Sequence, residues 1–245
     1  MSGLILDFDG VLSPIVEDPA TSALPGSTAV LLARIVKVLG LVAVISGRPA
    51  RFLVDHVKVD GILMLGSYGI EEIRHGAWRV DPAATEWLGV VKDASRLLAH
   101  ELGASPGIRI EEKSVSVAVH WRQAPDPEAA AARVRDVTLS VAAATGLRLK
   151  GGKLVEELLP PIEVDKGSVV STMLENENLA TSAYAGDDLG DLPALHTVRD
   201  RGGYALVVDH GPETDASLLE VADEVFDGTV TFAAWLADLA DALGA

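Results

Sequence analysis

The sequence contains no cysteine. This excludes a disulfide framework, a thiolate metal site and a cysteine nucleophile, so any chemistry must come from carboxylates, hydroxyls, histidine or lysine. The absence of cysteine also fits a reducing compartment, where disulfides are rare.

Basic residues are scarce as well. Lys and Arg total 20 against 36 Asp and Glu, which gives a formal net charge of -16 and a pI near 4.7. Because such a chain is repelled by nucleic acid and by anionic membranes, we expect neither as a partner. No obligate protein partner is indicated. A small anionic substrate would need a local positive site.

Long apolar runs are missing too. The longest, residues 31–45, contains two cationic residues and a glycine, so it predicts a helix followed by a strand and not a membrane span. The first apolar run is interrupted by Asp7 and Asp9, unlike the core of a signal peptide. We therefore expect a cytoplasmic protein, and 49% hydrophobic content supplies a packed interior.

Short apolar runs that end in polar or glycine residues alternate with segments of helical spacing. This alternation predicts an α/β fold: a doubly wound, Rossmann-like core with a mostly parallel sheet. The predicted strands are residues 4–6, 41–45, 61–65, 180–186 and 204–208, and the predicted helices are residues 27–39, 166–175, 188–197 and 229–243.

The middle of the chain has a different pattern. Two helices, at 83–102 and 127–144, are each followed by a pair of strands, which predicts an inserted α+β module of order αββαββ. The strand pairs are predicted at 107–112 with 114–121 and at 146–150 with 153–159. We place this cap domain at residues 82–161, between core segments 1–81 and 162–245.

Asp7 and Asp9 directly follow the first predicted strand. Carboxylates at positions i and i+2 of an extended chain project to the same side, so both can face one small space, and Gly10 permits a sharp exit. Two close carboxylates are unfavourable without a cation. The alternative interpretation is a turn with solvated acids.

A second acidic segment, Gly186 to Asp191, follows a later strand. Asp187 and Asp191 would lie one turn apart if a helix begins here. Hard oxygen ligands of this kind suit Mg²⁺, whereas the alternative is a helix N-terminus enriched in acids. The presence of Asp7 and Asp9 favours the metal interpretation.

Two further segments offer groups for a phosphate. Ser46 and Arg48 follow the second strand, where a hydroxyl and backbone N–H groups suit a phosphoryl oxygen, although Ser46 also fits an ordinary helix cap. Lys166 lies in a predicted first helical turn, where a cation is unfavourable unless an anion faces it; otherwise it is a solvated surface lysine. In open α/β sheets, such loops converge beyond the carboxyl ends of the strands.

The order and spacing of these four elements resemble the haloacid dehalogenase superfamily, over nearly the whole chain. Within that superfamily, Pro14-Ile15 after the first motif and Ser46-Gly47-Arg48 resemble the trehalose-6-phosphate phosphatases. Three cap segments add to the resemblance: Glu112-Lys113 leading to His120-Trp121-Arg122, Gly152-Lys153 leading to Glu157-Leu158, and Asp165-Lys166-Gly167.

The resemblance implies a magnesium-dependent phosphatase that hydrolyses a disaccharide phosphate, trehalose 6-phosphate, through an aspartyl phosphate on Asp7. It implies that Asp9 is the general acid and base, and that Ser46 and Lys166 hold the transferring oxygens, with Lys153 as an alternative lysine. The implied Mg²⁺ ligands are Asp7, Asp9 through its backbone carbonyl, Asp187 and Asp191. The implied substrate-binding residues are Arg48, Lys113, His120, Arg122, Lys153 and Glu157.

Two positions depart from the family pattern. Tyr68 stands where the family has the histidine of Gly-x-His-Gly, and Leu159 stands where it has the arginine of Glu-Leu-Arg-Pro. These two departures leave a related sugar phosphate or pseudo-disaccharide phosphate open as the substrate. A dehalogenase would need neither Asp9 nor magnesium. A phosphomutase would retain both, and a non-catalytic sugar-phosphate sensor would not need the complete set of site residues.

Overall fold

A computed structural model describes residues 1–16, 21–152 and 154–245. The chain divides into two compact units, one formed by Met1–Arg79 with Val164–Ala245 and the other by Val80–Glu163. Among the described residues, no helix combines the length and the hydropathy needed to cross a lipid bilayer. The predicted fold class, an α/β core with an inserted αββαββ module, is confirmed.

The first unit contains a mixed sheet with helices on both faces. Its strands are β1 (Ser2–Leu6), β2 (Leu41–Ile45), β3 (Leu63–Gly66), β4 (Glu71–Arg74), β5 (Ala77–Val80), β10 (Thr181–Gly186), β11 (Tyr204–Asp209) and β12 (Glu224–Asp227). Its helices are α1 (Gly26–Ile35), α2 (Ala50–Val57), α6 (Lys166–Asn176), α7 (Leu192–Asp200), α8 (Ala216–Val221) and α9 (Gly228–Ala242).

Within the described residues, the strands of this sheet have the order β12-β11-β10-β1-β2-β3-β4-β5. The strands from β12 to β3 are parallel to their neighbours, and β4 runs antiparallel to β3. Every residue of β2 is buried. A continuous apolar run is the expected sequence of a parallel strand that is covered on both faces.

Alternate residues of β1 and β2 pack on opposite sides of the sheet. Leu4 and Leu6 belong to one core cluster, to which α1, α2 and α9 also contribute. Ile5 belongs to a second cluster, which it shares with α6, α7 and α8. The sheet is therefore wound with helices on both faces, as the alternation of strands and helices predicts.

The hairpin of β4 and β5 was not among the predicted elements. Its two-residue turn, His75-Gly76, has positive φ at both positions, 50° and 78°. Such a turn matches the twist of paired strands and is a recognisable hairpin signal, as Asn-Gly is. The strand β12 and the helix α8 were also missed.

The second unit has two long helices against one face of an antiparallel sheet. Its strands, in the order β6-β7-β9-β8, are β6 (Arg109–Glu112), β7 (Val117–His120), β8 (Arg148–Gly152) and β9 (Val155–Leu159). Its helices are α3 (Pro82–Thr85), α4 (Leu88–Leu102) and α5 (Pro127–Thr145). The single helix predicted over 83–102 is therefore divided, since Trp87 precedes α4 as its N-terminal flanking residue.

The core of this unit lies between its sheet and the two long helices. Leu98 of α4 and Val134 of α5 pack with Val117, Val119 and Leu158 of the central strands. Because side chains alternate along a strand, the neighbouring positions of β7 and β9 project from the opposite face. That face carries the charged residues described below.

Candidate active site

The loop after β1 places a carboxylate in the protein interior. Asp7 is 5% exposed, and its backbone N–H donates to the carbonyl oxygen of Ala185 at 2.9 Å. Gly10 has a φ of +78°, and a side chain at this position would collide with the carboxylate of Asp187. Glycine at this position therefore allows two acidic loops to approach each other.

Asp7, Ser46 and Asp187 each follow the carboxyl end of one of three adjacent parallel strands, β1, β2 and β10. Parallel neighbours end at the same edge of a sheet, which is where open α/β sheets bind ligands. Lys166 approaches from the first turn of α6, which is capped by the side chain of Asp165.

These loops bring four predicted residues together. Carboxylate oxygens of Asp7, Asp187 and Asp191 lie within 4.8 Å of one another. Lys166 Nζ lies 3.0 Å from Asp7 Oδ1 and 2.6 Å from Asp191 Oδ1. Since Lys166 is 4% exposed, the alternative interpretation of a solvated surface lysine is wrong.

Asp191 connects the parts of this cluster. Its Oδ1 accepts hydrogen bonds from Lys166 Nζ and from the hydroxyl of Tyr184 at 2.5 Å. Its Oδ2 accepts from the backbone N–H groups of Asp187 at 3.0 Å and Asp188 at 3.2 Å. The carboxylate thereby holds residues 187–190 as a turn, and α7 begins only at Leu192, later than the predicted residue 188.

The charges within the cluster do not balance. Burial raises the pKa of Asp7 well above its usual range against the opposing effect of Lys166. Burial, with Asp191 and Asp188, raises the pKa of Asp187 to about 8. Burial alone would lower the pKa of Lys166, but Asp191 and Asp7 outweigh it and raise that pKa. One ammonium therefore faces two buried carboxylates and one partly buried carboxylate, so their ionised forms lack full compensation.

Asp191 differs from the other two carboxylates. Burial opposes its ionisation, but Lys166 and the hydrogen bonds from Lys166 and Tyr184 prevail and lower its pKa. Asp191 is thus the carboxylate that Lys166 stabilises most fully in its ionised form, whereas the ionised forms of Asp7 and Asp187 lack full compensation.

The donor set fits a hard divalent cation. Asp7 Oδ1 is buried and has no hydrogen-bond partner among the described residues; Lys166 Nζ lies close enough for an ion pair but not in hydrogen-bond geometry. Mg²⁺ in proteins is usually bound by one or two carboxylates, and here they come from two loops. Asp7 and Asp187 are the side chains whose charge such an ion would neutralise.

The side chain of Asp9 has a different set of hydrogen-bond partners. Arg48 donates to both of its oxygens, from Nε to Oδ2 at 2.7 Å and from Nη2 to Oδ1 at 2.9 Å. Ser22 Oγ donates to Asp9 Oδ1 at 2.7 Å, and the guanidinium of Arg48 lies over the ring of Phe52. Arg48, predicted to bind substrate, is therefore paired with Asp9. Ser22 was not predicted, and its sequence context does not identify it as a partner of Asp9.

Ser46 lies buried in the turn after β2. Its Oγ accepts a hydrogen bond from the backbone N–H of Arg48 at 3.2 Å, and α2 begins at Ala50 after Pro49 with no side-chain cap. The interpretation of Ser46 as an ordinary N-cap is therefore wrong. The turn belongs to the same edge of the sheet as Asp7.

His210 is a further residue that the sequence did not reveal. Its Nε2–H donates to the carbonyl oxygen of Gly10 at 2.9 Å, and Nε2 lies 3.6 Å from Asp187 Oδ2. His210 directly follows β11, so its position after a strand was the available signal. It connects the loop after β11 to the loop after β1, which contains Asp7 and Gly10.

In the second unit, the predicted residues form two polar groups on the strands. Lys113 Nζ donates to Glu157 Oε1 at 2.8 Å, and Ser116 Oγ donates to the same oxygen at 2.6 Å. His120 Nε2 lies 2.8 Å from Glu111 Oε2, and this hydrogen bond lowers the pKa of Glu111 to about 2 against the opposing effect of burial. Ser116 and Glu111 were not predicted.

The two remaining predicted residues of this unit lack a described role. Arg122 is exposed and has no hydrogen bond or ion pair within the described parts of the chain. Lys153 lies outside the described residues, so only Lys166 has a defined position next to Asp7.

Comparison with known proteins settles the family. The model of the trehalose-phosphatase family matches residues 5–220. The chain belongs to this family. It is 35% identical over 224 residues to a trehalose-phosphate phosphatase of Mycobacterium avium (strain 104), an alignment that covers 86% of this chain and 56% of that protein. The chain thus spans little more than half the length of this curated relative.

Solved structures share the fold of this trehalose-phosphatase family member. A trehalose-6-phosphate phosphatase related protein superposes with a TM-score of 0.82 at 22% identity, over 98% of this chain and 97% of that one. A haloacid dehalogenase-like hydrolase from Bacteroides thetaiotaomicron superposes with a TM-score of 0.68 at 17% identity, over 97% and 99% of the two chains. The predicted family is confirmed by the family model and the curated relative, and the solved structures share the fold.

Proposed function

We propose that this chain is a magnesium-dependent phosphatase that hydrolyses trehalose 6-phosphate to trehalose and phosphate. The observation that carries the proposal is the largely buried cluster of Asp7, Lys166, Asp187 and Asp191 at the carboxyl edge of the sheet, in a chain of the trehalose-phosphatase family. The ionised carboxylates of this cluster lack full compensation, which favours a divalent cation. The carboxyl edge of the sheet, where the cluster lies, is where open α/β sheets bind ligands.

Asp7 is the nucleophile in this proposal. A carboxylate oxygen of Asp7 forms a bond to phosphorus while the bond from phosphorus to the sugar oxygen breaks. Water then forms a bond to phosphorus while the bond to Asp7 breaks, so inorganic phosphate leaves and the carboxylate is regenerated. Division into two transfers makes each step easier than direct hydrolysis.

Asp9 moves the protons. It donates a proton to the departing sugar oxygen in the first transfer and takes a proton from the attacking water in the second. Both oxygens of Asp9 accept hydrogen bonds, from Arg48 and Ser22. Proton donation therefore requires that one of these oxygens turn from Arg48 towards the leaving group.

Mg²⁺ would be held by the side chains of Asp7 and Asp187 and by the backbone carbonyl of Asp9, with Asp191 orienting the loop that carries Asp187. When bound, the ion supplies charge neutralisation for the nucleophile and the phosphoryl oxygens. Lys166 and Ser46 hold the transferring oxygens as charge develops on them. Lys166 is preferred to Lys153 because it lies 3.0 Å from Asp7.

We infer that the second unit is the specificity cap, with Lys113, His120, Arg122, Lys153 and Glu157 as the residues that bind the sugar. Supporting this role, Lys113 and Glu157 are paired and half-buried on the polar face of the sheet. Charged side chains held in fixed positions recognise sugar hydroxyls with little loss of side-chain entropy.

A second candidate substrate, a related disaccharide or pseudo-disaccharide phosphate, is favoured by two observations. Leu159, which stands in place of the arginine of the family pattern, is buried at the end of β9. Tyr68 packs against Gly47 in the turn that contains Ser46. A phosphomutase and a non-catalytic sensor remain alternatives, but no observation on the described residues favours either of them.

The test is phosphate release with and without Mg²⁺ from trehalose 6-phosphate, sucrose 6-phosphate, glucose 6-phosphate and a cyclitol-containing disaccharide phosphate. Magnesium-dependent preference for trehalose 6-phosphate is the expected result. Preference for another member would transfer the proposal to that substrate, and no release from any of them would contradict it. The predicted cytoplasmic location is tested separately by fractionation.

A further inference from the structure

The turn between β3 and β4 has an uncommon backbone. Ser67, Tyr68 and Gly69 have φ values of 51°, 62° and 96°. Two consecutive residues with side chains in the left-handed region are unfavourable and persist only where the surrounding contacts impose them. Such strain is characteristic of positions where the direction of a side chain matters.

A fully buried carboxylate imposes this conformation. Glu71, at 0% exposure, accepts hydrogen bonds at Oε2 from Ser67 Oγ at 2.6 Å and from the backbone N–H of Ala50 at 3.3 Å. Its Oε1 accepts from Trp78 Nε1 at 3.1 Å. Within the described residues no cation pairs with Glu71, so its contacts serve to hold the turn and the start of α2.

The same turn is bonded to the loop that contains Ser46. The backbone N–H of Ser67 donates to the carbonyl oxygen of Arg48 at 2.8 Å, and that of Tyr68 donates to the carbonyl oxygen of Ser46 at 2.9 Å. Gly69 lets the turn approach α6, since a side chain there would collide with Val169.

This arrangement lays the ring of Tyr68 on Gly47. A Cβ atom built on Gly47 would lie 2.8 Å from Tyr68 Cζ and 2.9 Å from its hydroxyl oxygen. Real Cβ atoms do not approach so closely, so a side chain at position 47 would have to displace the ring of Tyr68. Gly47 stands between Ser46 and Arg48, and Arg48 in turn holds Asp9.

We propose that Tyr68 is a positioning residue that fixes the Ser46-Gly47-Arg48 turn by packing its ring on Gly47. Glu71 in turn holds the backbone of residues 67–69 in the conformation that directs the Tyr68 side chain towards Gly47. The inference rests on the proposed function, because it assigns that turn to the phosphoryl group of a phosphomonoester. It predicts that a substitution at Tyr68 affects both the binding of the phosphoryl group by this turn and the position of Asp9.

A double-mutant cycle on the full chain tests this contact. Gly47→Ala introduces the collision with the Tyr68 ring, and we expect kcat on p-nitrophenyl phosphate with Mg²⁺ to fall about tenfold or more. Tyr68→Ala removes the support of the turn and is expected to lower kcat severalfold. Because Tyr68→Ala also removes the collision, the double variant should be more active than Gly47→Ala alone.

Two additional variants separate positioning from a merely structural role. Tyr68→Phe keeps the ring and should stay within about twofold of the unaltered protein. Ser67→Ala removes the bond to Glu71 and should lower kcat in the same direction as Tyr68→Ala. Thermal unfolding of each variant reports whether the fold survives. Binding of inorganic phosphate with Mg²⁺, measured by calorimetry, supplies a readout independent of turnover.

The possible failures are distinguishable. No phosphate release and no phosphate binding by the unaltered protein would overturn the proposed function and this inference with it. An active unaltered protein in which the losses from Gly47→Ala and Tyr68→Ala simply multiply would overturn the inference alone. Equal losses from Tyr68→Phe and Tyr68→Ala would also overturn it, because the ring would not then be the cause.

Discussion

Lys166 Nζ lies 3.0 Å from Oδ1 of Asp7, with both side chains almost completely buried. An ammonium in this position opposes the effect of burial, which favours the protonated form of the carboxylates. Removal of the ammonium leaves uncompensated negative charge in the interior, which is more unfavourable than the pair itself is favourable.

Lys166→Met should therefore abolish turnover and lower the free energy of unfolding of the metal-free protein by roughly 3–5 kcal/mol, the usual effect of breaking a buried pair. Urea unfolding in EDTA measures the second effect. Lys37→Met is the matched control, because Lys37 is exposed in the same unit. Equal stabilities of the two variants would contradict the assigned role of Lys166.

Tyr184→Phe tests the support of Asp191. The variant loses the hydrogen bond from the Tyr184 hydroxyl to Asp191 Oδ1, so we expect a loss of about 1–2 kcal/mol in the free energy of unfolding and a severalfold lower kcat. Tyr204→Phe is the control, since Tyr204 is 57% exposed on β11. If both variants behave like the unaltered protein, Asp191 does not depend on Tyr184.

Asp9→Asn separates the two phosphoryl transfers. p-Nitrophenolate leaves without needing a proton, so the first transfer should still proceed, while loss of the general base slows attack by water on the aspartyl phosphate by about 10²–10⁴-fold. Rapid mixing with p-nitrophenyl phosphate should show a burst of p-nitrophenolate close to one equivalent of protein, followed by slow turnover. Slow release without a burst would contradict the role of Asp9 as the base of the second step.

Acid stability should depend on Glu111. Its folded-state pKa of about 2 lies below the usual 4.5, so its stabilising effect is present above the unfolded pKa and is lost as pH falls from 4.5 towards 2. Glu111→Gln should therefore be less stable than the unaltered protein at pH 6, and the difference should shrink below pH 4.5. Solvent screening keeps the difference small, because Glu111 is more than a third exposed.

Unfolding curves at several pH values measure this difference, and Glu86→Gln supplies an exposed control. A difference that persists unchanged down to about pH 3 would show that Glu111 does not act through ionisation.

The sequence predicted those features that depend on local pattern. The strand Leu41–Ile45 has the predicted bounds because a strand covered on both faces is a continuous apolar run. Asp7, Asp187 and Asp191 were predicted from acidic segments that follow strands, Lys166 from its place in a first helical turn, and the family resemblance assigned the four to one site. Topology then brings such loops together regardless of their separation in sequence.

The contacts that orient these residues could not be predicted in the same way. Tyr184 reads as one more large residue of a buried strand, and its bond to Asp191 depends on where residues 187–191 turn back. Glu71 begins a strand that was not predicted, so the sequence did not indicate its burial or its hydrogen bond with Ser67. Arg48 was predicted to bind substrate, whereas its pairing with Asp9 follows from the packing of two loops.

The most direct measurement is magnesium-dependent phosphate release from trehalose 6-phosphate by the unaltered protein, by Asp7→Asn and by the exposed control Asp60→Asn. We predict full activity with Mg²⁺ for the unaltered protein and for Asp60→Asn, none in EDTA, and none for Asp7→Asn although its thermal unfolding remains cooperative. An Asp7→Asn protein that still releases phosphate would contradict the assignment of Asp7 as the nucleophile.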